Sequence, residues 1–344
     1  MIAWDEAVSE GLGVLPNELL LSVFKFLPLE TLLSCENVCR RWRKLARDPS
    51  LWKNLVVVYS RQPGSSEVSE KNLQLINTHS QYIFCLKLHY IHNYQHIKSI
   101  MEKCENLISI ELIMCQIGEE FEDDIKKWPN LKKMSLKNSL FLPKKELLIN
   151  FNQFKQLNFL VLSDFGLSSL NCNTLLHCPY LSHLFIDKIK NLALGYMKQL
   201  ILSKQDRLIT LHIYGGDHID DNCLQLISQC PILRDLAITR CENLTDEGLI
   251  SLVNLKKIER LQIWNSTIFS ETNLLRTLSS PNLKNLQSLC LSRIKNISPT
   301  VVDVISEYYT NLKFLALYQC PKIINTDYEK QLKSKFHNID VVLY

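Results

Sequence analysis

A repeated pattern of aliphatic residues fills most of the chain and limits what it can fold into. The template L-x-x-L-x-L occurs ten times with Leu, Ile or Met at its three fixed positions, in steps of 24 to 28 residues. The middle positions of the ten copies are Leu86, Ile110, Met134, Leu160, Leu184, Leu211, Leu236, Leu261, Leu289 and Leu315. A fixed period of this length is typical of a protein built from stacked structural repeats.

Each copy combines a short strand with a stretch at helical spacing. Apolar residues alternate around the middle of the template, which predicts a strand with one buried face. Leu224 and Ile227, which follow Asp220 and Asp221, illustrate the helical part. Neither element can bury its apolar face alone, whereas stacked copies form one continuous core. The sequence therefore predicts an α/β fold in which the repeats form a solenoid.

The copy at residues 233–249, LRDLAITRCENLTDEGL, resembles the leucine-rich repeat of the cysteine-containing subtype. The cysteine of that subtype stands eight residues after the first position, as Cys115, Cys241 and Cys320. This resemblance implies a curved solenoid with a parallel sheet on its concave face. We expect these cysteines to fill the core of the turns and not to act as nucleophiles.

The segment at residues 15–52 does not follow the repeat. Its apolar residues recur at helical spacing, Pro16 can open a first helix, and Pro28 ends it and opens a second. A third helix is predicted from Val38 to Ala46. The segment closely resembles an F-box through the residues Leu15, Pro16, Glu18, Leu19, Leu20, Phe24, Leu27, Pro28, Leu32, Val38, Cys39, Arg40, Trp42, Leu45, Leu51 and Trp52.

The F-box resemblance implies a three-helix docking module that binds a Skp-type adaptor and, through it, a cullin–RING ubiquitin ligase. The adaptor-binding residues predicted on this basis are Leu15, Pro16, Leu19, Leu20, Phe24, Leu27, Pro28, Leu29, Leu32, Val38 and Trp42. A bundle this small that carries apolar residues on more than one side also indicates a partner interface. The alternative is a helical cap that packs only on the first repeat.

The two patterns divide the chain into four parts. Residues 14–55 form the F-box module, and residues 56–80 form a linker and transition, with a Ser-, Gly- and Pro-rich stretch at 60–70. Residues 81–323 hold about ten repeats. Residues 324–344 form a C-terminal cap, in which a lysine-rich helix precedes a strand-like end.

The residues between the leucines of each strand are the candidate target-binding residues. The third, fifth and seventh positions of each copy point away from the core, onto the concave face. Aromatic and arginine side chains there are typical binding anchors. The candidates are Phe159, Phe185, His212, Tyr214, Arg260, Trp264, Phe314 and Tyr318. The alternative is that the aromatic residues pack against one another across neighbouring strands.

Two groups of metal-ligating residue types do not form a convincing site. His89, His92 and His96 would share one helical face, but His89 lies at the end of a predicted strand. Cys35 and Cys39 lack a second pair and are expected to be core thiols. No G-x-S-x-G, G-x-G-x-x-G, Walker or H-E-x-x-H motif occurs. The sequence predicts no metal, no cofactor and no catalytic residues, and hence a protein that is not an enzyme.

Charge and hydropathy limit the classes of partner and the cellular locations expected for this chain. The chain has 39 Lys and Arg against 35 Asp and Glu, a net charge of +4 that is spread along the sequence. We therefore expect no nucleic-acid partner. No run of 18 apolar residues predicts a membrane span. Residues 1–13 lack a basic segment, so no secretory signal is expected, and we predict a cytoplasmic and/or nuclear location with reduced thiols.

These observations lead to one functional expectation. The chain is expected to be the substrate-recognition subunit of a Skp–cullin–F-box ubiquitin ligase that captures target proteins for ubiquitination and proteasomal degradation. The alternative is an interaction scaffold, bound to the adaptor or free-standing, without ubiquitin transfer to a target.

Overall fold

The computed structural model describes residues 14–62, 64, 66–142, 146–147, 149–164, 166–189, 192–193, 195–215, 219–240, 243–264, 269–336 and 339–343. The chain consists of two compact units, Met1–Cys115 and Gln116–Tyr344. Both combine helices with parallel strands, which confirms the α/β class predicted from the repeat. No helix in these ranges is both long and apolar enough to cross a membrane.

The first unit begins with the helices of the F-box-like segment. These are α1 (Asn17–Phe24), α2 (Leu29–Cys35), α3 (Arg40–Ala46) and α4 (Pro49–Trp52). The Cys39 thiol accepts a hydrogen bond from the Trp42 amide at the start of α3. The fourth helix, one turn long, was not predicted. It forms because Asp48 caps the Ser50 amide at 2.9 Å and Pro49 occupies the first helical position.

In the described part of the rest of the first unit, three strands alternate with two α-helices. They are β1 (Val56–Ser60), α5 (Ser66–His79), β2 (Cys85–His89), α6 (Tyr94–Lys103) and β3 (Ser109–Ile113). Strand β2 pairs in parallel with both β1 and β3. Residues 56–80, predicted as a linker and transition into the solenoid, thus contain regular secondary structure. This stretch adds a strand and a helix ahead of the first L-x-x-L-x-L copy, and Leu75 and Ile76 bury one side of α5.

The second unit stacks the remaining repeats. Its strands are β4 (Gln116–Ile117), β5 (Lys133–Lys137), β6 (Leu140–Phe141), β7 (Glu146–Leu147), β8 (Phe159–Ser163), β9 (Gly166–Leu167), β10 (His183–Asp187), β11 (Thr210–Tyr214), β12 (Asp235–Thr239), β13 (Arg260–Trp264), β14 (Ser288–Ser292), β15 (Phe314–Ala316) and β16 (Asp340–Val342). Its helices are α7 (Phe121–Asp124), α8 (Ser169–Leu176), α9 (Tyr196–Lys204), α10 (Asp221–Ser228), α11 (Asp246–Ser251), α12 (Glu271–Leu278), α13 (Pro299–Tyr308) and α14 (Asp327–Lys335).

The register of the long strands aligns the repeated leucines. Strands β5, β8 and β10 to β16 lie side by side in that order and pair in parallel. Leu211 on β11 faces Leu184 on β10 and Leu236 on β12. All ten middle positions of the template are at most 2% exposed. Stacking therefore buries one continuous row of aliphatic side chains, as the repeat period predicts. Residues 324–344, predicted as the cap, contain α14 and β16.

A residue in the left-handed region follows directly after most of the long strands. These residues are Tyr90, Met114, Asn138, Asp164, Lys188, Gly215, Arg240 and Arg293. All but Gly215 carry a side chain, although this conformation costs about 1–2 kcal/mol for such residues. Hydrogen bonds to the next strand offset that cost. The Arg240 amide, for example, donates to the Trp264 carbonyl at 3.0 Å.

A capping carboxylate at the start of α10 leads to a first prediction. Asp220 accepts a hydrogen bond from the Cys223 amide at 2.9 Å and pairs with Lys198 at 2.7 Å. Burial alone raises the pKa of Asp220, but the bonds from Lys198 and Cys223 outweigh it and lower the pKa to about 2. Asp220→Ala should lower the free energy of unfolding by about 1 kcal/mol at neutral pH, as loss of an N-cap does.

The pH dependence of this contribution has a definite sign. The pKa of Asp220 is lower in the folded chain than its ordinary value of 3.8. The stabilisation is therefore complete above about pH 4 and is lost as the pH falls toward about 2. Urea unfolding of wild type and Asp220→Ala over this range should show the difference shrinking. Asp206→Ala, at an exposed position, is the control. A difference that stays constant down to pH 2 contradicts the assignment.

Candidate protein-binding surfaces

Helix α1 has one buried and one exposed apolar stripe. Leu20 and Phe24, four residues apart, are 0% and 2% exposed. Phe24 packs edge-on against Trp42 of α3, with ring centroids 5.3 Å apart. On another side of the helix, Leu19 and Val23 are 53% and 38% exposed. Phe26, in the turn that continues α1, is 89% exposed and extends this second stripe. A single helix thus contributes both to the core and to an apolar outer surface.

The structure sorts the eleven predicted adaptor-binding residues into three groups. Pro16, Leu19, Pro28 and Val38 are exposed, and Leu15, Leu27, Leu29 and Trp42 are half-buried. Leu20, Phe24 and Leu32 are buried. These last three side chains pack inside the helical module, so substituting them tests folding, and their part in adaptor binding stays a prediction. Leu29 lies beside a cavity of about 440 Å³ that residues of α2 and α5 line together.

Three exposed apolar residues of this module were missed. Val14 is 67% exposed, and Val23 and Phe26 complete the outer stripe of α1. The spacing of Leu19, Val23 and Phe26 at i, i+4 and i+7 places them on one helical face. That spacing was available in the sequence. The F-box pattern drew attention to its own consensus positions, several of which are core residues.

A buried carboxylate joins the F-box-like helices to α5 within the first unit. Glu36 is 6% exposed, and one of its oxygens accepts bonds from Arg47 at 2.8 and 2.9 Å. Its other oxygen lies 2.8 Å from Nε2 of His79, the last residue of α5. The His79 ring stacks on Trp52, with centroids 5.2 Å apart. This network fixes the F-box-like helices against the strand-and-helix pair that follows.

Of the eleven cysteines that the structure describes, seven are buried and four are half-buried, and Cys39, expected in the core, is one of the half-buried ones. Burial raises the pKa of Cys35. The Cys115 thiol donates to the Leu88 carbonyl at 3.2 Å, and the Cys320 thiol donates to the Leu291 carbonyl at 3.1 Å. Burial also raises the pKa of both, which disfavours the reactive thiolate. Cys115 and Cys320 therefore occupy the core of the turns, as expected, whereas Cys241 lies outside the described residues.

The three histidines considered for a metal do not share a helical face. His89 ends β2 and lies 3.4 Å from a carboxylate oxygen of Glu111. His96 is on α6, with Nε2 3.2 Å from the Tyr59 hydroxyl. Burial, followed by the charges of Arg61 and Lys103, lowers the pKa of His96. Among the residues that the structure describes, no three His, Cys, Asp or Glu side chains come together in a group that could hold a metal.

In the second unit, aromatic side chains form a row across β8, β10 and β11. Phe159 and Phe185 have ring centroids 5.1 Å apart, and Phe185 meets His212 at 4.5 Å. Lys133 on β5 lies 5.9 Å from the Phe159 ring centroid. All three ring-bearing residues are half-buried. The rings of this row therefore cover much of one another's surface by contact across neighbouring strands, which is the alternative to target binding.

A polar chain continues from that row. The Tyr214 hydroxyl lies 3.2 Å from Nδ1 of His212, and Nε2 of His212 lies 2.9 Å from an oxygen of Asp235. Arg260 donates to the other oxygen of Asp235 at 2.8 Å. Burial raises the pKa of Asp235, but the bonds from His212 and Arg260 outweigh it, so the pKa is lowered. Arg260 is thus partly engaged by its own neighbour and is a weaker anchor than its sequence position indicates.

The remaining candidates lie farther along the sheet. Trp264, at the end of β13, is 37% exposed, and its ring centroid is 6.3 Å from that of Tyr318. Phe314, at the start of β15, is half-buried. Trp264, Tyr318 and Tyr214 line one depression of about 640 Å³. The structure therefore brings three of the eight predicted target-binding residues together and places the other five outside this depression.

The stacked strand-and-helix copies resemble leucine-rich repeats, and the N-terminal helices resemble an F-box-like domain. Comparison with known proteins agrees, because the family model described as F-box-like matches residues 12–57. The resemblance to F-box and leucine-rich-repeat proteins is thus confirmed.

Individual relatives match shorter stretches. F-box/LRR-repeat protein 5 of Danio rerio is 40% identical over 73 residues, which cover 19% of this chain and 11% of that protein. F-box/LRR-repeat protein 5 of Mus musculus is 41% identical over 51 residues, covering 15% and 7%. The matches thus span about a tenth of the length of these relatives. An internalin structure from Listeria monocytogenes covers 91% of this chain and 93% of its own, with 15% identity and a TM-score of 0.44.

Proposed function

We propose that this chain is the substrate-recognition subunit of a Skp–cullin–F-box ubiquitin ligase. Its F-box-like domain binds a Skp-type adaptor, and its repeats hold a target protein for ubiquitination and degradation. The observation that carries the proposal is the exposed apolar stripe of α1. Leu19 and Phe26 on that stripe are 53% and 89% exposed within a domain that matches the F-box-like model.

An apolar stripe of this kind has an energetic consequence. Burying apolar surface contributes about 25 cal/mol per Å² removed from water. Aromatic residues such as Phe26 are enriched among the few that dominate binding energy at interfaces. Val14 and Val38 add two further exposed apolar side chains to the same small domain. A partner that covers this surface therefore gains both area and an anchor.

The proposed mechanism is proximity and requires no catalytic group in this chain. The adaptor and cullin bring the loaded conjugating enzyme, and the repeats bring the target. The two are then held at a high effective concentration, which favours transfer to lysines of the target. The ubiquitin chemistry belongs to the other subunits in this scheme, and we propose a non-catalytic role for this chain. A cytoplasmic and/or nuclear location follows as part of the same proposal.

The adaptor-binding half of the proposal is tested by co-expression with a Skp-type adaptor. The wild-type chain should co-elute with it as a stoichiometric complex. The double variant Leu19→Glu with Phe26→Glu should lose the complex, because two carboxylates then occupy an apolar interface. Leu20 is unsuitable for this test, because it is 0% exposed and a charge there would unfold the domain.

A matched control separates the interface from general surface effects. Leu202 on α9 is 52% exposed, almost the same as Leu19, and belongs to the second unit. Leu202→Glu should leave the complex intact. If the double variant still co-elutes while folded by circular dichroism, the stripe of α1 is not the docking surface. If the complex forms but no neddylated cullin joins it and no bound protein is ubiquitinated, the chain is an interaction scaffold instead.

A further inference from the structure

Large and small side chains alternate at the seventh position of five consecutive repeats. Along β11 to β15 this position holds Tyr214, Thr239, Trp264, Ser292 and Tyr318. Thr239 and Ser292 are 4% and 1% exposed, whereas Trp264 is 37% exposed. The large aromatic side chains therefore flank small, buried side chains on the neighbouring strands. The result is a recess of about 640 Å³, here called the Trp264 depression, lined by Asp187, Lys188, Tyr214, Gly215, Thr239, Arg240, Trp264, Arg293 and Tyr318.

Three cations line the Trp264 depression at one edge. Lys188, Arg240 and Arg293 each follow a strand directly and have φ angles of 47°, 55° and 57°. All three are exposed. Among the described residues, none of the three forms an ion pair with a carboxylate. A left-handed residue in each of these repeats thus places a positive side chain beside the aromatic ones.

Within the described part of the chain, the side-chain contacts of these cations do not include a carboxylate. Arg293 donates through Nε to the Gln319 side chain at 2.7 Å, and its guanidinium lies 5.9 Å from the Tyr318 ring centroid. The carboxylate among the described lining residues is Asp187, which accepts a bond from Ser163 on the neighbouring strand β8 at 2.8 Å. Among the described lining residues, three cations therefore stand against one carboxylate next to the aromatic rings.

We propose that the Trp264 depression binds an anionic segment of a target polypeptide, with a carboxylate or phosphate group held by Arg240, Arg293 and Lys188 and an adjacent apolar side chain packed against the exposed surface of the Trp264 and Tyr318 rings. The inference rests on the proposed function, because it names the class of target that the repeats take. Arginine suits the anion because its planar fork matches two oxygens at once. Partly exposed Trp and Tyr rings suit the apolar neighbour.

The test measures fluorescence anisotropy of the full chain with four labelled probes. Three are short Gly- and Ser-based peptides that differ only at the centre: Leu-Glu-Glu-Leu, Leu-phosphoSer-phosphoSer-Leu and Leu-Lys-Lys-Leu. The fourth is a short oligothymidine. Binding of either anionic peptide at least about tenfold tighter than the lysine peptide is expected, with affinity falling as salt is added. The tighter of the two anionic peptides then identifies carboxylate or phosphate as the preferred group.

Substitutions locate the binding. Arg240→Glu with Arg293→Glu should weaken the anionic peptide by about tenfold or more. Arg276→Glu with Lys284→Glu changes the net charge equally at exposed positions outside the depression and should have little effect. Trp264→Ala should weaken the Leu-containing peptide more than a version with Ala in place of Leu. Circular dichroism melting shows that each variant is folded.

Four results overturn the inference. They are absence of any peptide binding, equal binding of the anionic and lysine peptides, tighter binding of oligothymidine than of either anionic peptide, and unchanged binding by the folded Arg240 and Arg293 variant. The outcome is separate from that of adaptor co-elution, which depends on Leu19 and Phe26 in the other unit. Peptide binding without adaptor binding would keep this inference and refute the ligase role.

Discussion

Replacing Trp52 by alanine should lower the free energy of unfolding of the first unit by about 3–5 kcal/mol, the range for deleting a buried aromatic side chain. Trp52 is 1% exposed. Its ring stacks on His79 and on Tyr82, with centroids 5.2 and 5.5 Å away, and its Nε1 donates to the Ala46 carbonyl at 2.8 Å. Alanine leaves a large cavity and an unpaired carbonyl at the place where α3, α4 and α5 meet.

The measurement has to resolve the two units. Denaturant unfolding followed by far-ultraviolet circular dichroism gives the overall change, and hydrogen exchange of peptides from α3 and α5 assigns it to the first unit. Trp128→Ala, which removes an equally buried tryptophan from the second unit, should leave exchange in α3 and α5 unchanged. A loss below about 1 kcal/mol for Trp52→Ala would show that neighbouring side chains fill the space.

A second substitution separates the ring from its hydrogen bond. Trp52→Phe retains an aromatic ring but cannot donate to the Ala46 carbonyl. Leaving a buried acceptor without its hydrogen bond costs about 1–3 kcal/mol. Trp52→Phe should therefore lower the free energy of unfolding by less than Trp52→Ala does. Because the F-box-like helices depend on this packing, Trp52→Ala should also reduce co-elution with a Skp-type adaptor at raised temperature, although Trp52 is buried and offers no contact surface.

The repeat was predictable from sequence because its signal is local and redundant. Ten copies place an aliphatic residue at the middle of each template, and every one of them is at most 2% exposed. A strand with one buried face needs only alternation over a few residues. Parallel stacking of the copies then follows from the need to cover that face.

Strand β1 and helix α5 were not predictable in the same way. The sequence of β1, VVVYS, lacks the leading leucine of the template. It becomes a strand because Val57 and Tyr59 pack inward while its backbone pairs with β2. The Ser-, Gly- and Pro-rich composition before α5 favoured a linker, and the burial of Leu75 and Ile76 outweighs it. Both elements depend on contacts that are distant in sequence.

The protein-binding surfaces were partly predictable for a related reason. Helical spacing identifies the apolar stripes of α1, but which stripe faces inward is decided by the position of Trp42 on α3. The aromatic members of the Trp264 depression follow from strand alternation. Its cations do not, because residue type gives arginine and lysine no preference for the left-handed region in which Arg240, Arg293 and Lys188 lie.

The second large stability effect is expected from Glu36→Ala. Removing one member of a fully buried ion pair costs about 3–5 kcal/mol, whereas an ion pair on the surface contributes at most about 1 kcal/mol. The Glu36 network lies between these cases. Arg47 is 41% exposed at its side chain and regains water, while the His79 side chain is 10% exposed and loses its partner. We therefore expect a loss of about 2 kcal/mol.

Two glutamate controls bracket this result. Glu36→Gln retains an acceptor of the same shape without the charge and should cost about half as much. Glu30→Ala removes a carboxylate that is 86% exposed and lies 3.7 Å from Lys71, so it should change stability by less than about 0.5 kcal/mol. Equal losses for Glu36→Ala and Glu30→Ala would show that the buried network contributes nothing beyond an exposed pair.

The coupling between Glu36 and Trp52 is the sharper test of the network. Both contact His79, Glu36 through a hydrogen bond and Trp52 through ring stacking. Residues that share a partner in this way couple by about 0.5–3 kcal/mol in a double-mutant cycle. Once Trp52 is alanine, His79 is no longer held by stacking, so Glu36→Ala should cost less than it does in the wild-type chain. Additive losses would instead indicate that Glu36 and Trp52 stabilise the first unit independently.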